Sequence, residues 1–192
     1  SKIFGEEAVS KFSSMTGVVS RHVSSHEQTA SDLAFKAAED LLSKKSIDTD
    51  SIGAIVFVTQ TPDYRVPATA CVLQKRLNLS KDCVAFDVNL GCSGYVYGLQ
   101  ILSSLMTNSN IERGLLLVGD TSTKCIAPED SSSVMLFGDS GSATLIEKTD
   151  EVVNMDMGLR TDGEGFKSII IPSGAYRNIN LPIERTMWGD GN

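Results

Sequence analysis

A layered α/β domain built on a largely parallel sheet is the fold class this sequence predicts. Three observations predict it. Short, continuously apolar runs rich in β-branched residues recur at 53–59, 83–88 and 114–120. Segments with helical periodicity precede and separate them, at 29–45, from Pro67 onward, and at 93–106. The connections are only a few residues long. Apolar runs of strand length read as strands covered on both faces, and their alternation with helices argues for parallel crossovers.

Each element has its own reason. TASDLAFKAAEDLLSKK, residues 29–45, puts Leu33, Ala37 and Leu41 on one stripe with Ala34, Ala38 and Leu42 beside it, the spacing of an amphipathic helix. Thr29 or Ser31 caps its start, and Lys44 and Lys45 suit its negative end. GAIVFVT (53–59) is the first buried strand. Pro67 suits the first turn of the next helix, on which Ala70, Leu73 and Leu77 share a face. CVAFDV (83–88) is a second buried strand. SGYVYGLQILSSLM (93–106) is helical, with Val96, Leu99 and Leu102 in a row and Leu105 and Met106 closing it. GLLLVGD (114–120) is a third buried strand, and SATLIE (142–147) is another after the Gly-rich turn FGDSGS. Past residue 150 the pattern weakens, although SIIIP (168–172) has strand character.

Composition narrows the function. The 192 residues are 41% hydrophobic and 21% charged, ordinary for a globular domain that buries a core without staples. The formal charge of −7 leaves no basic footprint for nucleic acid. No apolar run approaches the roughly 18 residues of a membrane span, and no signal peptide opens the chain. Cys71, Cys83, Cys92 and Cys125 show no zinc-like spacing, so no metal is expected. Scattered cysteines of this kind fit a reducing, cytoplasmic setting. The chain starts without Met and ends in the Gly- and Asp-rich MWGDGN; the expectation is a piece of a longer protein.

The chemistry-bearing stretch is AFDVNLGCSGYVYGLQ, residues 85–100. It places Cys92 where a strand ends and a helix begins, at the carboxyl edge of the sheet, where open α/β proteins commonly hold their sites. A helix N-terminus offers unpaired N–H groups and partial positive charge, which favour a thiolate. Gly91 and Gly94 clear space for an incoming carbonyl carbon. The logic is that of the nucleophile elbow, with backbone N–H groups near a developing oxyanion. A buried structural cysteine is the competing reading, since Gly-Cys-Ser-Gly alone is not specific. Cys71, Cys83 and Cys125 read as structural or incidental. The two histidines, His22 and His26, lie far upstream in a polar segment and read as surface residues. The residues alone thus give an activated thiol without an evident partner.

AFDVNLGCSGYVYGL resembles the active-site segment of the 3-oxoacyl-[acyl-carrier-protein] synthase III family, within the thiolase superfamily. Other stretches resemble that family in the same order: MTGVVSRHV (15–23), VPATACVLQKRLNL (66–79), LLLVGDTSTK (115–124) and SSSVMLFGDSGSATLIE (131–147). The resemblance implies a thiolase-like fold in which residues 1–192 form the N-terminal half, a mixed, largely parallel sheet with helices packed on it. It implies an acyltransferase with Cys92 as the acyl acceptor, the Cys92 N–H contributing to an oxyanion hole, and Ser122 and Phe137 near an acyl pocket. The family condenses its acyl-cysteine with malonyl-acyl carrier protein in fatty-acid or related acyl biosynthesis. Its substrates are acyl-CoA and malonyl-acyl carrier protein, with no permanently bound cofactor, and its partners are acyl carrier protein and a second copy of itself. The histidine and asparagine that assist decarboxylation in the family fall beyond the matched segments, so the resemblance implies that this chain alone does not complete condensation and that apolar surface normally covered is left open. Many members also stack the CoA adenine between tryptophan and arginine, with another arginine near the phosphates; Lys11, Met15 and Ser131 stand there instead. Such stacking is worth about 1–3 kcal/mol per base, so weaker or different CoA recognition is expected. Alternatives are a hydroxymethylglutaryl-CoA synthase-like enzyme, a specialised polyketide or surface-glycan acyl enzyme, and a non-catalytic partner subunit; retention of Cys92 speaks against the last.

Overall fold

The computed structural model describes residues 3–151, 155–172, 174–179 and 187–188. In chain order the elements are α1 (Glu6–Thr16), α2 (Ala30–Lys45), β1 (Ile52–Val58), α3 (Thr69–Arg76), β2 (Val84–Val88), α4 (Gly94–Thr107), β3 (Arg113–Asp120), β4 (Ser140–Glu147), β5 (Ile169–Ile170) and β6 (Met187–Trp188). They belong to two compact units. One comprises residues 24–121 and 140–159; the other comprises 1–23, 122–139 and 160–192.

The first unit holds a four-stranded sheet in the order β2-β1-β3-β4. β1 runs parallel to both β2 and β3, with Ile55 beside Ala85 on one side and Leu115 on the other. β4 returns antiparallel to β3. The mixed, largely parallel α/β architecture expected from the sequence is therefore present. Strand side chains alternate between faces, and β1 fills both. Ile55 and Phe57, with Leu115 and Leu117 of β3, pack against Ala34, Ala38 and Leu42 of α2 and Ala70 and Leu73 of α3. Ala54, Val56 and Val58, with Leu116, pack against Leu102 and Met106 of α4 on the opposite face. A strand covered on both sides needs an unbroken apolar run, which is what residues 53–58 supply.

The start of α2 is fixed by Thr29. Its backbone N–H and its hydroxyl donate to Asp32 Oδ2 at 2.9 and 3.1 Å, the reciprocal arm of a capping box. Ser31 lies inside the helix, fully buried, and its hydroxyl donates to Asp63 Oδ2 at 2.7 Å.

Several expectations need correction. β2 is not a buried strand: its residues are half-buried, and Val84 is 40% exposed, because β2 is the sheet's edge. Pro67 does not open α3; the Val66–Pro67 peptide is cis and the helix begins at Thr69. The buried stripe of α4 is Gly94, Gly98, Leu102 and Met106, while Val96 is 44% exposed. Close approach decides this face. A β-carbon on Gly98 would stand 2.7 Å from Leu116 Cδ1 and 2.9 Å from Val58 Cγ2, so the helix backbone lies almost on the sheet. Of the expected row, Leu102 and Met106 are buried and Leu99 and Leu105 pack beside them, whereas Val96 gives way to the glycines that make the closest contact.

The second unit contains α1, which the apolar pattern did not reveal and which has no buried residue. It also holds the short turn Ser122–Cys125 and the two-residue pair β5 and β6. Asp139 organises part of it. Its carboxylate accepts the Thr123 N–H at 3.0 Å and the Thr123 hydroxyl at 2.7 Å, while its own N–H donates to the His22 carbonyl at 2.9 Å. Of SIIIP only Ile169 and Ile170 are strand. Much of MWGDGN lies outside the described residues. Among the described residues, no helix is long and apolar enough to cross a membrane.

Candidate active site

β2 ends at Val88 and α4 begins at Gly94, and the five residues between form a tight corner. The Leu90 N–H turns back to the Val88 carbonyl at 3.1 Å, and the Gly94 N–H to the Gly91 carbonyl at 2.8 Å. Cys92 lies within this corner and is exposed. A hydrocarbon-sealed thiol is thereby excluded. Among the described residues the Cys92 N–H finds no acceptor. An exposed cysteine whose N–H has no acceptor among the described residues thus stands just ahead of a helix of 14 residues, whose N-terminal end carries partial positive charge.

The glycines flanking Cys92 serve approach. A β-carbon on Gly94 would stand 2.5 Å from Val58 Cγ1, so Gly94 lets α4 start against β1. A β-carbon on Gly91 would stand 2.5 Å from Gln60 Oε1, so the corner is pressed against the turn that leaves β1. Gln60 and its neighbours escaped sequence reading. The available signal was position: Thr59, Gln60 and Thr61 follow β1 directly, as Asp120 closes β3, and polar residues at the carboxyl ends of buried strands form the rim of such sheets.

The other cysteines differ. Cys71 is exposed on α3, so exposure alone does not single out Cys92. Cys83 is half-buried ahead of β2, and its burial pushes the thiol up to about 11. Cys125 closes the Ser122–Cys125 turn.

Ser122 and Phe137 lie in the second unit, each half-buried, with the Phe137 N–H donating to the Ser133 carbonyl at 3.1 Å. That unit has its own cavity of about 540 Å³, lined mainly by apolar residues such as Phe4, Val9, Phe12, Val134 and Met135, with Arg21 at its wall. Ser122 and Phe137 do not line it. Met15 is 76% exposed on α1, and Lys11 and Ser131 are also exposed. His22 and His26 are both exposed. Among the described residues, no three His, Cys, Asp or Glu side chains are grouped to hold a metal ion.

The profile of 3-oxoacyl-[acyl-carrier-protein (ACP)] synthase III matches residues 86–163, a span that begins in β2 and includes Cys92. A Campylobacter jejuni relative, provisionally named 3-oxoacyl-[acyl-carrier-protein] synthase 3, is 41% identical over 172 residues, covering 89% of this chain and 48% of the relative. A β-ketoacyl-[acyl-carrier-protein] synthase III of Methylococcus capsulatus is 30% identical over 177 residues, covering 92% and 55%. The crystal structure of a 3-oxoacyl-(acyl-carrier protein) synthase from Burkholderia xenovorans superposes with a TM-score of 0.85 at 41% identity, over 93% of this chain and 51% of that one. The chain spans about half the length of the curated relatives it matches. In sequence and in fold the chain is thus similar, over nearly all of its length, to about half of a 3-oxoacyl-[acyl-carrier-protein] synthase III.

Proposed function

We propose that this chain carries the acyl-accepting step of a decarboxylative condensation in fatty-acid or related acyl biosynthesis. The Cys92 thiolate attacks the carbonyl carbon of an acyl thioester, and the carrier thiolate leaves as the acyl–sulfur bond to Cys92 forms. Malonyl-acyl carrier protein then loses CO2, and its carbanion attacks the acyl-cysteine carbonyl. A carbon–carbon bond forms and the Cys92 thiolate is released. The observation that carries this reading is the exposed Cys92 with its unengaged N–H at the head of α4. That N–H stabilises the oxyanion of each tetrahedral intermediate. Ser122 and Phe137 contribute to the acyl pocket in this reading, and the working assembly is a homodimer that receives acyl carrier protein. No metal or permanently bound cofactor takes part. The chain supplies the acyl acceptor, and the groups that promote decarboxylation come from outside residues 1–192.

The exposed Lys11, Met15 and Ser131 lack the aromatic and guanidinium planes that grip an adenine. They favour a donor borne on a carrier protein over free acyl-CoA, as in a specialised pathway. The test is intact-mass and peptide mass spectrometry of the intact protein after exposure to acetyl-CoA or to acetyl-acyl carrier protein. The expected result is one acetyl group on the Cys92 peptide, faster from the carrier protein and absent in Cys92→Ala. No label from either donor would refute the acyl-transfer reading.

A further inference from the structure

The turn that leaves β1 is held more firmly than an exposed turn needs to be. Asp120 ends β3, and its Oδ1 accepts four hydrogen bonds from that turn. The Gln60 N–H donates at 2.7 Å, the Thr59 hydroxyl at 3.0 Å, and the Thr61 N–H and hydroxyl each at 3.1 Å. Thr61 Oγ1 accepts the Thr121 N–H at 2.9 Å. On the other side, the Thr59 N–H donates to the Val88 carbonyl at 3.1 Å. Three strand ends are thus tied together around Gln60: the Val88 carbonyl holds β2 to the turn, and one Asp120 carboxylate oxygen holds the turn to β3, carboxylate acceptors making the stronger kind of hydrogen bond. Gln60 itself is exposed, and its carboxamide lies where a side chain of residue 91 would be.

We propose that Asp120 is a positioning residue for Cys92: it fixes the backbone of Gln60, whose carboxamide seats Gly91 and with it the neighbouring Cys92. The inference rests on the reading in which Cys92 is the acyl acceptor. Acyl transfer demands that the sulfur meet the carbonyl carbon along a narrow approach, with the oxyanion aimed at its donor. Misplacement by about 1 Å costs on the order of 10²-fold in such a step. Alkylation by a small, freely diffusing reagent carries no such demand. Asp120 and Gln60 therefore govern the first reaction and leave the second alone.

The experiment compares the two at the same sulfur in the intact protein. Acylation is followed with the acetyl thioester of N-acetylcysteamine over a range of concentrations, and alkylation with iodoacetamide, peptide by peptide. Half-buried Cys83 reports unfolding. Asp120→Ala and Gln60→Ala are expected to lower the saturating acylation rate by about 10²-fold, with the half-saturating concentration and Cys92 alkylation each within about twofold of wild type. The double variant falls no further than the singles, since both act through one contact. Asp120→Asn, which keeps an acceptor oxygen, falls less far than Asp120→Ala. Acylation at the wild-type rate in Gln60→Ala overturns the proposal. So does a loss that comes with fast labelling of Cys83 in both Asp120→Ala and Gln60→Ala, because the residues are then merely structural. If only Asp120→Ala exposes Cys83, Gln60→Ala decides the matter, since its exposed side chain can be removed without opening the core. A wild-type protein that alkylates at Cys92 and never acylates refutes the acyl-acceptor reading, and the positioning role falls with it.

Discussion

The Asp87 carboxylate, on β2, accepts the Thr69 backbone N–H at 2.6 Å, and its other oxygen accepts the Ala70 N–H at 2.7 Å. These are two of the donors that a helix start leaves without partners, and Ala68, at the N-cap of α3, has no side-chain acceptor to offer. A strand residue thus caps the neighbouring helix and ties β2 to α3. Asp87→Ala leaves both donors unsatisfied beside buried Thr69 and Ala70. The expected loss is about 2–3 kcal/mol, the scale of hydrogen bonds to a charged acceptor. A urea unfolding midpoint that does not move would show that water replaces the carboxylate without cost.

Asp32 does the corresponding work for α2, with a pH signature. Burial works against its ionisation, but the Thr29 N–H, the Arg76 guanidinium and the Thr29 hydroxyl outweigh it and hold the carboxyl below the usual 3.8. Arg76 meets it at 2.9 Å. A carboxyl whose folded value is lowered contributes stability that is present above its unfolded value and lost as the pH falls. Asp32→Asn is therefore expected to cost about 1 kcal/mol near neutral pH, the size of a helix cap. The gap to wild type narrows as the pH drops through and below 3.8. Denaturant titrations at several acidic pH values measure the gap directly, and a gap that stays constant would remove the carboxylate from the account.

Burial, more than periodicity, separates what the sequence revealed from what it hid. β1 and β3 were legible because two-sided burial demands unbroken apolar runs, and 53–59 and 114–120 are such runs. α2 was legible from its apolar stripe, and of the two caps offered, Thr29 and Ser31, Thr29 takes the role with Asp32 as its partner, while Ser31 lies inside the helix. β2 misled because an edge strand keeps the same apolar character without the cover. α1 was hidden because a helix with no buried residue carries no core stripe. The corner around Cys92 was readable as strand, turn and helix from its glycines. Gln60 and Asp120 were not, since their place beside Gly91 depends on which strands are neighbours, and β1, β2 and β3 meet there only through long-range pairing.

The glycine face of α4 gives a packing prediction. Gly98→Ala sets a methyl group 2.7 Å from Leu116 Cδ1 and 2.9 Å from Val58 Cγ2, both in the core between α4 and the sheet. The helix must lift or both side chains must leave their rotamers. Overpacking of this kind costs about 1–3 kcal/mol. Val96→Ala on the same helix, at a position 44% exposed, is expected to cost much less. Thermal unfolding of the two variants compares the faces, and equal losses would contradict the assigned stripe.

Cys83 predicts a loss of stability on the alkaline side. Desolvation by burial raises its thiol from an ordinary 9.0 to about 11, against a smaller opposing effect of a hydrogen bond that the sulfur accepts from the Ile55 backbone. The neutral thiol is the form the fold accommodates, beside Ala85 and the α2 and α3 core. In the unfolded chain the thiol ionises near 9.0, while in the folded chain it keeps its proton until about 11. Between those values the unfolded state binds fewer protons than the native state, so unfolding becomes easier as the pH rises. The contribution is complete below 9.0 and gone above about 11. Lysine and tyrosine titrations fall in the same range, so the difference between wild type and Cys83→Ala isolates the thiol. That difference is expected to shift in favour of the variant as the pH climbs through this window, read from denaturant midpoints at closely spaced pH values. At neutral pH the same burial makes Cys83 slower than exposed Cys71 toward iodoacetamide. A midpoint difference flat across the window, together with equal alkylation of the two thiols, would mean that Cys83 is as solvated as an exposed thiol and that the packing ahead of β2 is looser than described.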